Sequence, residues 1–123
     1  MKQRATIICR RGRQLLFVRR AGSKWNLPGG RPMRSESLMK AAFRELEEET
    51  GLKPNEMVLV ARFETLSTEH FVFVADFEKD YFAPMPLSEI TECRWSTDYS
   101  TSLNLTADSK LILRTFRTDI RSI

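Results

Sequence analysis

The 123-residue sequence predicts a mixed α/β (α+β) domain in which a β-sheet lies between helices. Three observations carry this. Several segments alternate apolar and polar positions with the period of a strand. One acidic segment, residues 36–50, is bounded by turn chemistry as a helix is, and residues 103–116 repeat apolar positions at helical spacing. The length suits one domain with a proper core, and 41% hydrophobic with 29% charged residues excludes a disordered chain.

Residues 4–10 (RATIICR) and 14–20 (QLLFVRR) read as strands, joined by Arg11-Gly12-Arg13 with a glycine for the turn. A loop over 21–24 leads to Trp25-Asn26-Leu27-Pro28-Gly29-Gly30, where two glycines allow a ligand to approach the main chain closely. The acidic helix follows, with Ser35 or Ser37 available as its cap, Gly51 as its C-cap and Pro54 preventing continuation. Residues 56–64 and 69–78 are the clearest later strands. In the second, Phe71, Phe73, Ala75 and Phe77 share one face and Val72, Val74 and Asp76 the other. Residues 80–87, with Pro84 and Pro86, read as a surface loop, and 89–95 as a short return strand. The span 103–116 is then a terminal amphipathic helix packed on the sheet.

The net charge of +4 conceals an asymmetry. Residues 1–34 hold ten Lys or Arg and no Asp or Glu, whereas the remainder holds ten basic and sixteen acidic residues. Such a field could steer an anionic ligand toward the acidic helix or bind nucleic acid, although no nucleic-acid-binding motif is present. No apolar run approaches the roughly 20 residues of a bilayer span, and the N-terminus lacks the apolar segment of a secretion signal. A cytoplasmic protein without a membrane partner is therefore expected. Cys9 and Cys93 lie in strands without metal-ligand spacing and read as buried free thiols.

Five glutamates fall between Glu36 and Glu49. At helical pitch Glu45, Glu48 and Glu49 span an arc of about 100°. Carboxylates so placed repel one another unless a cation sits among them, and hard divalent ions take oxygen ligands. A solvated charged face is the plain alternative, with Arg44 and Glu48 as an i,i+4 pair.

The spacing is more specific: Gly30, five residues, Glu36, seven residues, then Arg44-Glu45-Leu46-Glu47-Glu48-Glu49-Thr50-Gly51-Leu52. This pattern resembles the Nudix box with every defining position filled. The resemblance implies a Nudix fold, with a mixed sheet between helices and the box as a loop-helix-loop. It also implies Mg²⁺- or Mn²⁺-dependent hydrolysis of a nucleoside diphosphate linked to another group. By position, Glu48 and Glu49 would ligate the metal, with Glu45 a ligand or the general base and the Gly29 carbonyl completing the coordination. Arg44 would hold Glu45, and Glu36 and Gly30 would support the loop around them. Family members often take a further acid from outside the box, for which Glu89 is the first choice, ahead of Glu92 and Asp76.

Substrate residues are less marked. Trp25 could stack on a base, and Arg4, Arg10, Arg19, Lys24 and Arg31 could meet phosphates. Asn104 resembles in position an asparagine with which MutT-like members read a purine, and His70 reads as a core or edge residue. A MutT-like enzyme acting on a (deoxy)nucleoside triphosphate is expected. The alternatives are an RNA 5′-pyrophosphohydrolase, a sugar-nucleotide pyrophosphatase, and a non-catalytic module that senses a nucleotide.

Overall fold

The computed structural model describes residues 1–116. Strands β1 (Lys2–Arg11) and β2 (Gln14–Arg20) form the expected antiparallel hairpin, and Gly12 turns it at φ +61°. A two-residue strand, β3 (Gly29–Gly30), pairs with β1 on the same edge as β2, nearer the start of the strand, setting Ala5 opposite Gly30 and Thr6 opposite Gly29. Helix α1 (Leu38–Thr50) follows, then β4 (Val58–Glu64), β5 (Thr68–Asp76) and β6 (Ile90–Ser96). The last elements among the described residues are a single turn, α2 (Tyr99–Ser102), and helix α3 (Ala107–Thr115). The sheet order is β4-β5-β1-β2-β6, with β5 parallel to β1 and the other neighbours antiparallel.

Alternation along the strands builds two cores. Ile7, Cys9, Phe73, Ala75 and Phe77 face α1 and meet Ala42 and Leu46. Ile8, Phe17, Val72 and Val74 face the other way and meet Ile112 and Leu113 of α3. The two faces expected of residues 71–77 are thus the faces observed. Among the described residues, no helix is long and apolar enough to cross a membrane.

Two boundaries differ from expectation for local reasons. Ser37, not Ser35, caps α1: its Oγ accepts from Lys40 N–H at 3.1 Å, while Ser35 turns through φ +66°. At the other end Gly51 takes the left-handed C-cap at φ +75°. The last helix starts at Ala107 rather than at residue 103. Residues 103–106 are drawn straight along Trp25, whose N–H donates to Asn104 O and whose O accepts from Thr106 N–H, both at 2.8 Å. Thr106 then caps α3 through Ser109 N–H.

Candidate active site

Glu45 and Glu49 lie four residues apart on α1, hence on one side of the helix, and both line a cleft of about 760 Å³. The opposite wall comes from β1 and β3. Gly29 N–H donates to Glu49 Oε1 at 3.0 Å, and the α-carbon of Gly30 rests against Glu45 so closely that a β-carbon would stand 2.3 Å from its Cδ. Both glycines are therefore required by contact: the Glu45 carboxylate occupies the volume a side chain would fill at Gly30, and the β1 backbone occupies it at Gly29. Burial pushes the Glu49 carboxyl up to about 7, opposed by the Gly29 hydrogen bond and the nearby Arg4 charge.

Arg44 organises the remaining acids. Its guanidinium grips Glu36 with two bonds of 2.8 Å, reaches Glu45 Oε1 at 2.9 Å and both Glu48 oxygens at 3.2 Å, and donates to Arg31 O. The bond to Arg44, with a second from Met33 N–H, pulls the Glu36 carboxyl down to about 2. Glu36 thereby ties Arg44 to the backbone of the loop before α1.

The convergence of Glu45, Glu48 and Glu49 expected from helical geometry is not what the structure holds. Glu48 is 48% exposed, turned toward Arg44, and outside the cleft wall. Among the described residues, no three His, Cys, Asp or Glu side chains come together as a metal cluster. The cause is local: Arg44 draws Glu45 and Glu48 to one side, and Gly29 N–H draws Glu49 to the other. The donors are nonetheless all oxygens of the kind Mg²⁺ or Mn²⁺ takes, and Glu45 and Glu49 face the same space.

The other expected site residues fall into two groups. Arg4 and Arg19 line the cleft with Arg20, Lys24 and Arg31. Arg4 is largely desolvated, which lowers its pKa, and donates to Leu27 O at 3.0 Å. Trp25, by contrast, is a core residue, 4% exposed, with the Arg19 and Arg94 guanidinium groups over its ring at 4.7 and 5.0 Å. It holds Arg19 in the wall rather than offering a free face to a base. Asn104 is exposed, lies outside the cleft and contributes its backbone carbonyl to Trp25. Glu89 is exposed and reaches the cleft only through its pair with Arg20 at 2.8 Å. Glu92 pairs with Arg19, Asp76 with Arg10.

Lys2 and Arg20 were not singled out for function by sequence, nor were three further polar residues of the cleft. His70 and Asp108 meet at 2.7 Å, and Asn26 receives the hydroxyls of Thr106 and Ser109 at 3.1 and 2.6 Å. Asn26 adjoins the glycine loop, the one local signal available for it. Asp108 reads in sequence only as an acid in the first turn of a helix.

The profile of the NUDIX domain matches residues 1–99. An RNA pyrophosphohydrolase of Shewanella piezotolerans is 41% identical over 56 residues, covering 45% of this chain and 32% of that protein. The chain thus spans about a third of the length of that relative. A Bacillus subtilis protein provisionally named an 8-oxo-dGTP diphosphatase is 30% identical over 98 residues, covering 70% of this chain and 62% of its own. Among solved structures, a candidate nudix hydrolase family member from Chromobacterium violaceum is 30% identical with a TM-score of 0.83, covering 96% of this chain and 77% of its own. The NUDIX domain of Shewanella oneidensis NrtR, solved with ADP ribose, shares the fold at a TM-score of 0.83 and 17% identity, covering 98% of this chain and 88% of its own. Profile, sheet order and the glycine-backed acidic helix agree, and this chain belongs to the Nudix family.

Proposed function

We propose that the protein hydrolyses a pyrophosphate bond in a nucleoside diphosphate linked to another group, with a (deoxy)nucleoside triphosphate giving monophosphate and pyrophosphate. The observation that carries this is the pairing of charges in one cleft. Glu45 and Glu49 stand beside the Gly29-Gly30 backbone, and six cations, Lys2, Arg4, Arg19, Arg20, Lys24 and Arg31, line the same space. Cations hold a polyphosphate, and carboxylates next to it hold what the phosphates and a water need.

Glu45 and Glu49, with Glu48 once released from Arg44 and the Gly29 carbonyl, would hold Mg²⁺ or Mn²⁺. The chemistry supplied by such an ion is neutralisation of phosphate charge and acidification of water. Glu45 would take the proton as the water oxygen bonds to phosphorus and the bridging P–O bond breaks, the bridging oxygen leaving with the departing phosphate group. Arg44 keeps Glu45 oriented, and Arg4, Arg31 and Arg20 fix the phosphates. The unit proposed to do this is the single domain formed by the chain.

The test is a screen of purified protein with Mg²⁺ and with Mn²⁺ against nucleoside triphosphates, sugar nucleotides, dinucleoside polyphosphates and 5′-triphosphate RNA. Glu45→Gln is expected to lower kcat by about 10²–10⁴-fold with the melting temperature retained. Undiminished turnover in that variant would remove Glu45 from the chemistry. Absence of hydrolysis for every substrate would favour a nucleotide-sensing module. A second substrate, the 5′ end of RNA, is supported by the names of relatives 40–41% identical over 55–56 residues and by the cations of residues 1–34. Preferential release of pyrophosphate from the RNA would select it.

A further inference from the structure

Among the described residues that line the cleft there is no Phe, Tyr or Trp, so a nucleobase finds no aromatic ring to lie on. Trp25 is covered: it is 4% exposed, and the guanidinium carbon of Arg19 stands 4.7 Å from its ring centroid. Arg19 lies on β2, where the bridge of Val18 to Asn26 brings it beside Trp25 and the strand register brings it beside Glu92 of β6. Its Nε donates to Glu92 Oε1 at 2.8 Å, and Nη2 donates to the same oxygen. The guanidinium plane is thus fixed twice, by a ring beneath it and by a carboxylate along one edge. Arg94 meets the same ring at 5.0 Å but lies outside the cleft. Arg19 lines the cleft with its side chain 37% exposed, and the surface it offers there is the face turned away from Trp25. Among the described residues, no other arginine of the cleft has an aromatic ring against it.

A guanidinium is flat, delocalised and more weakly hydrated than an ammonium, so a base can cover its face with little loss of hydration. Bases stack on arginine planes as they do on aromatic rings. Glu92 offsets the Arg19 charge and takes two of its N–H donors, which weakens it as a phosphate ligand and leaves its face open. We propose that Arg19, held flat by Trp25 and Glu92, is the stacking platform on which the cleft seats a nucleobase. The proposal rests on the assignment of this cleft to nucleotides. Every base has a π-face, so such a platform positions the nucleotide without reading its hydrogen-bonding edge. The larger face of a purine covers more of the plane than a pyrimidine does.

Calorimetric titration in EDTA separates stacking from hydrolysis. The probes are AMP, GMP, purine riboside 5′-monophosphate, UMP, CMP, ribose 5-phosphate and tripolyphosphate. In the wild type the three purine nucleotides are expected to bind within about threefold of one another and on the order of tenfold tighter than ribose 5-phosphate, with UMP and CMP between. Arg19→Lys keeps the charge and loses the plane. AMP should then fall to within about twofold of ribose 5-phosphate, while ribose 5-phosphate and tripolyphosphate keep their wild-type affinities. Glu92→Gln, whose amide oxygen still accepts from Arg19, retains most of the AMP advantage, whereas Glu92→Leu frees the plane and loses it. Trp25→Leu loses it too, with its melting temperature measured alongside, and Arg19→Lys decides the matter if that core variant does not fold. Equal affinity for AMP and ribose 5-phosphate in the wild type, no binding of any probe at millimolar concentration, or an unaltered AMP advantage in Arg19→Lys would each overturn the proposal. So would an equal loss for AMP, ribose 5-phosphate and tripolyphosphate in Arg19→Lys, because Arg19 would then be meeting phosphate. A purine riboside nucleotide held about tenfold more weakly than AMP would overturn it as well, because the cleft would then be reading the base edge. An AMP advantage without hydrolysis of any nucleoside triphosphate in Mg²⁺ or Mn²⁺ would defeat the hydrolase assignment alone, and hydrolysis without that advantage would defeat this one alone.

Discussion

A methyl group added at Gly29 and one added at Gly30 would meet different obstacles, and the contrast separates fold from chemistry. At Gly29 the new carbon would lie 2.1 Å from the Ala5 carbonyl oxygen, and φ is +150°. Backbone cannot yield there, so Gly29→Ala is expected to cost about 3 kcal/mol or more of stability, read by chemical denaturation. At Gly30 the obstacle is the end of the Glu45 side chain, which can turn away. Gly30→Ala should therefore keep a melting temperature within a few degrees of wild type, on the order of 1 kcal/mol, while hydrolysis falls about 10²-fold because Glu45 is displaced. Equal losses of stability in the two variants would contradict this division. The requirement for glycine at both positions was legible as Pro28-Gly29-Gly30, but which neighbour enforces it was not. Glu48 shows the same limit: helical angles place it with Glu45 and Glu49, yet Arg44, one residue before Glu45, draws it aside.

Helix α1 is the element best specified by its own sequence, since Leu38, Ala42 and Leu46 face the sheet and Gly51 ends it without reference to distant residues. Its start was ambiguous between Ser35 and Ser37, because a serine caps by backbone position and both fit the spacing. The structure separates their roles. Ser37→Ala removes the bond to Lys40 N–H and should cost about 1 kcal/mol, close to 4 °C in melting temperature. Ser35 sits at φ +66° with no part in the cap, so Ser35→Gly should leave stability unchanged or raise it by about 0.5–1 kcal/mol. Opposite signs for the two substitutions in one thermal-melting series confirm the assignment, and a loss in both would refute it. Helix α3 was misplaced by four residues for the complementary reason: its register is set by Trp25, about eighty positions away, through the two hydrogen bonds that hold residues 103–106 straight. Apolar spacing of Leu103 with later leucines imitated a helix over a stretch that tertiary contact extends.

For the whole molecule, what was legible was what is local: strand faces, the box, the caps. What was not is the meeting of β5 with α3, where His70 and Asp108 stand 38 residues apart and neither carries a periodic signal. That meeting and the Glu36–Arg44 brace give the fold a pH dependence with separable parts. Glu36 is held at about 2, below its ordinary value near 4.5, so its contribution is present above 4.5 and is lost as pH falls through 2. His70 is depressed below 6.5 chiefly by burial, with the Asp108 hydrogen bond opposing. The unfolded chain therefore takes up that proton first, and stability is lost as pH falls below 6.5 until the folded pKa is passed. Glu49, raised to about 7, works in the other direction between 7 and 4.5, where the folded protein binds the extra proton. The three overlap in a single curve, so each is isolated by the difference between wild type and variant in urea denaturation at a series of pH values. The gap between wild type and Glu36→Gln should be constant from pH 8 to about 5 and close below 4.5. The gap between wild type and His70→Gln should instead move against the wild type from about pH 6.5 downward and then level. A Glu36 gap that widened on acidification would mean that Arg44 does not hold the carboxylate in solution as it does in the structure.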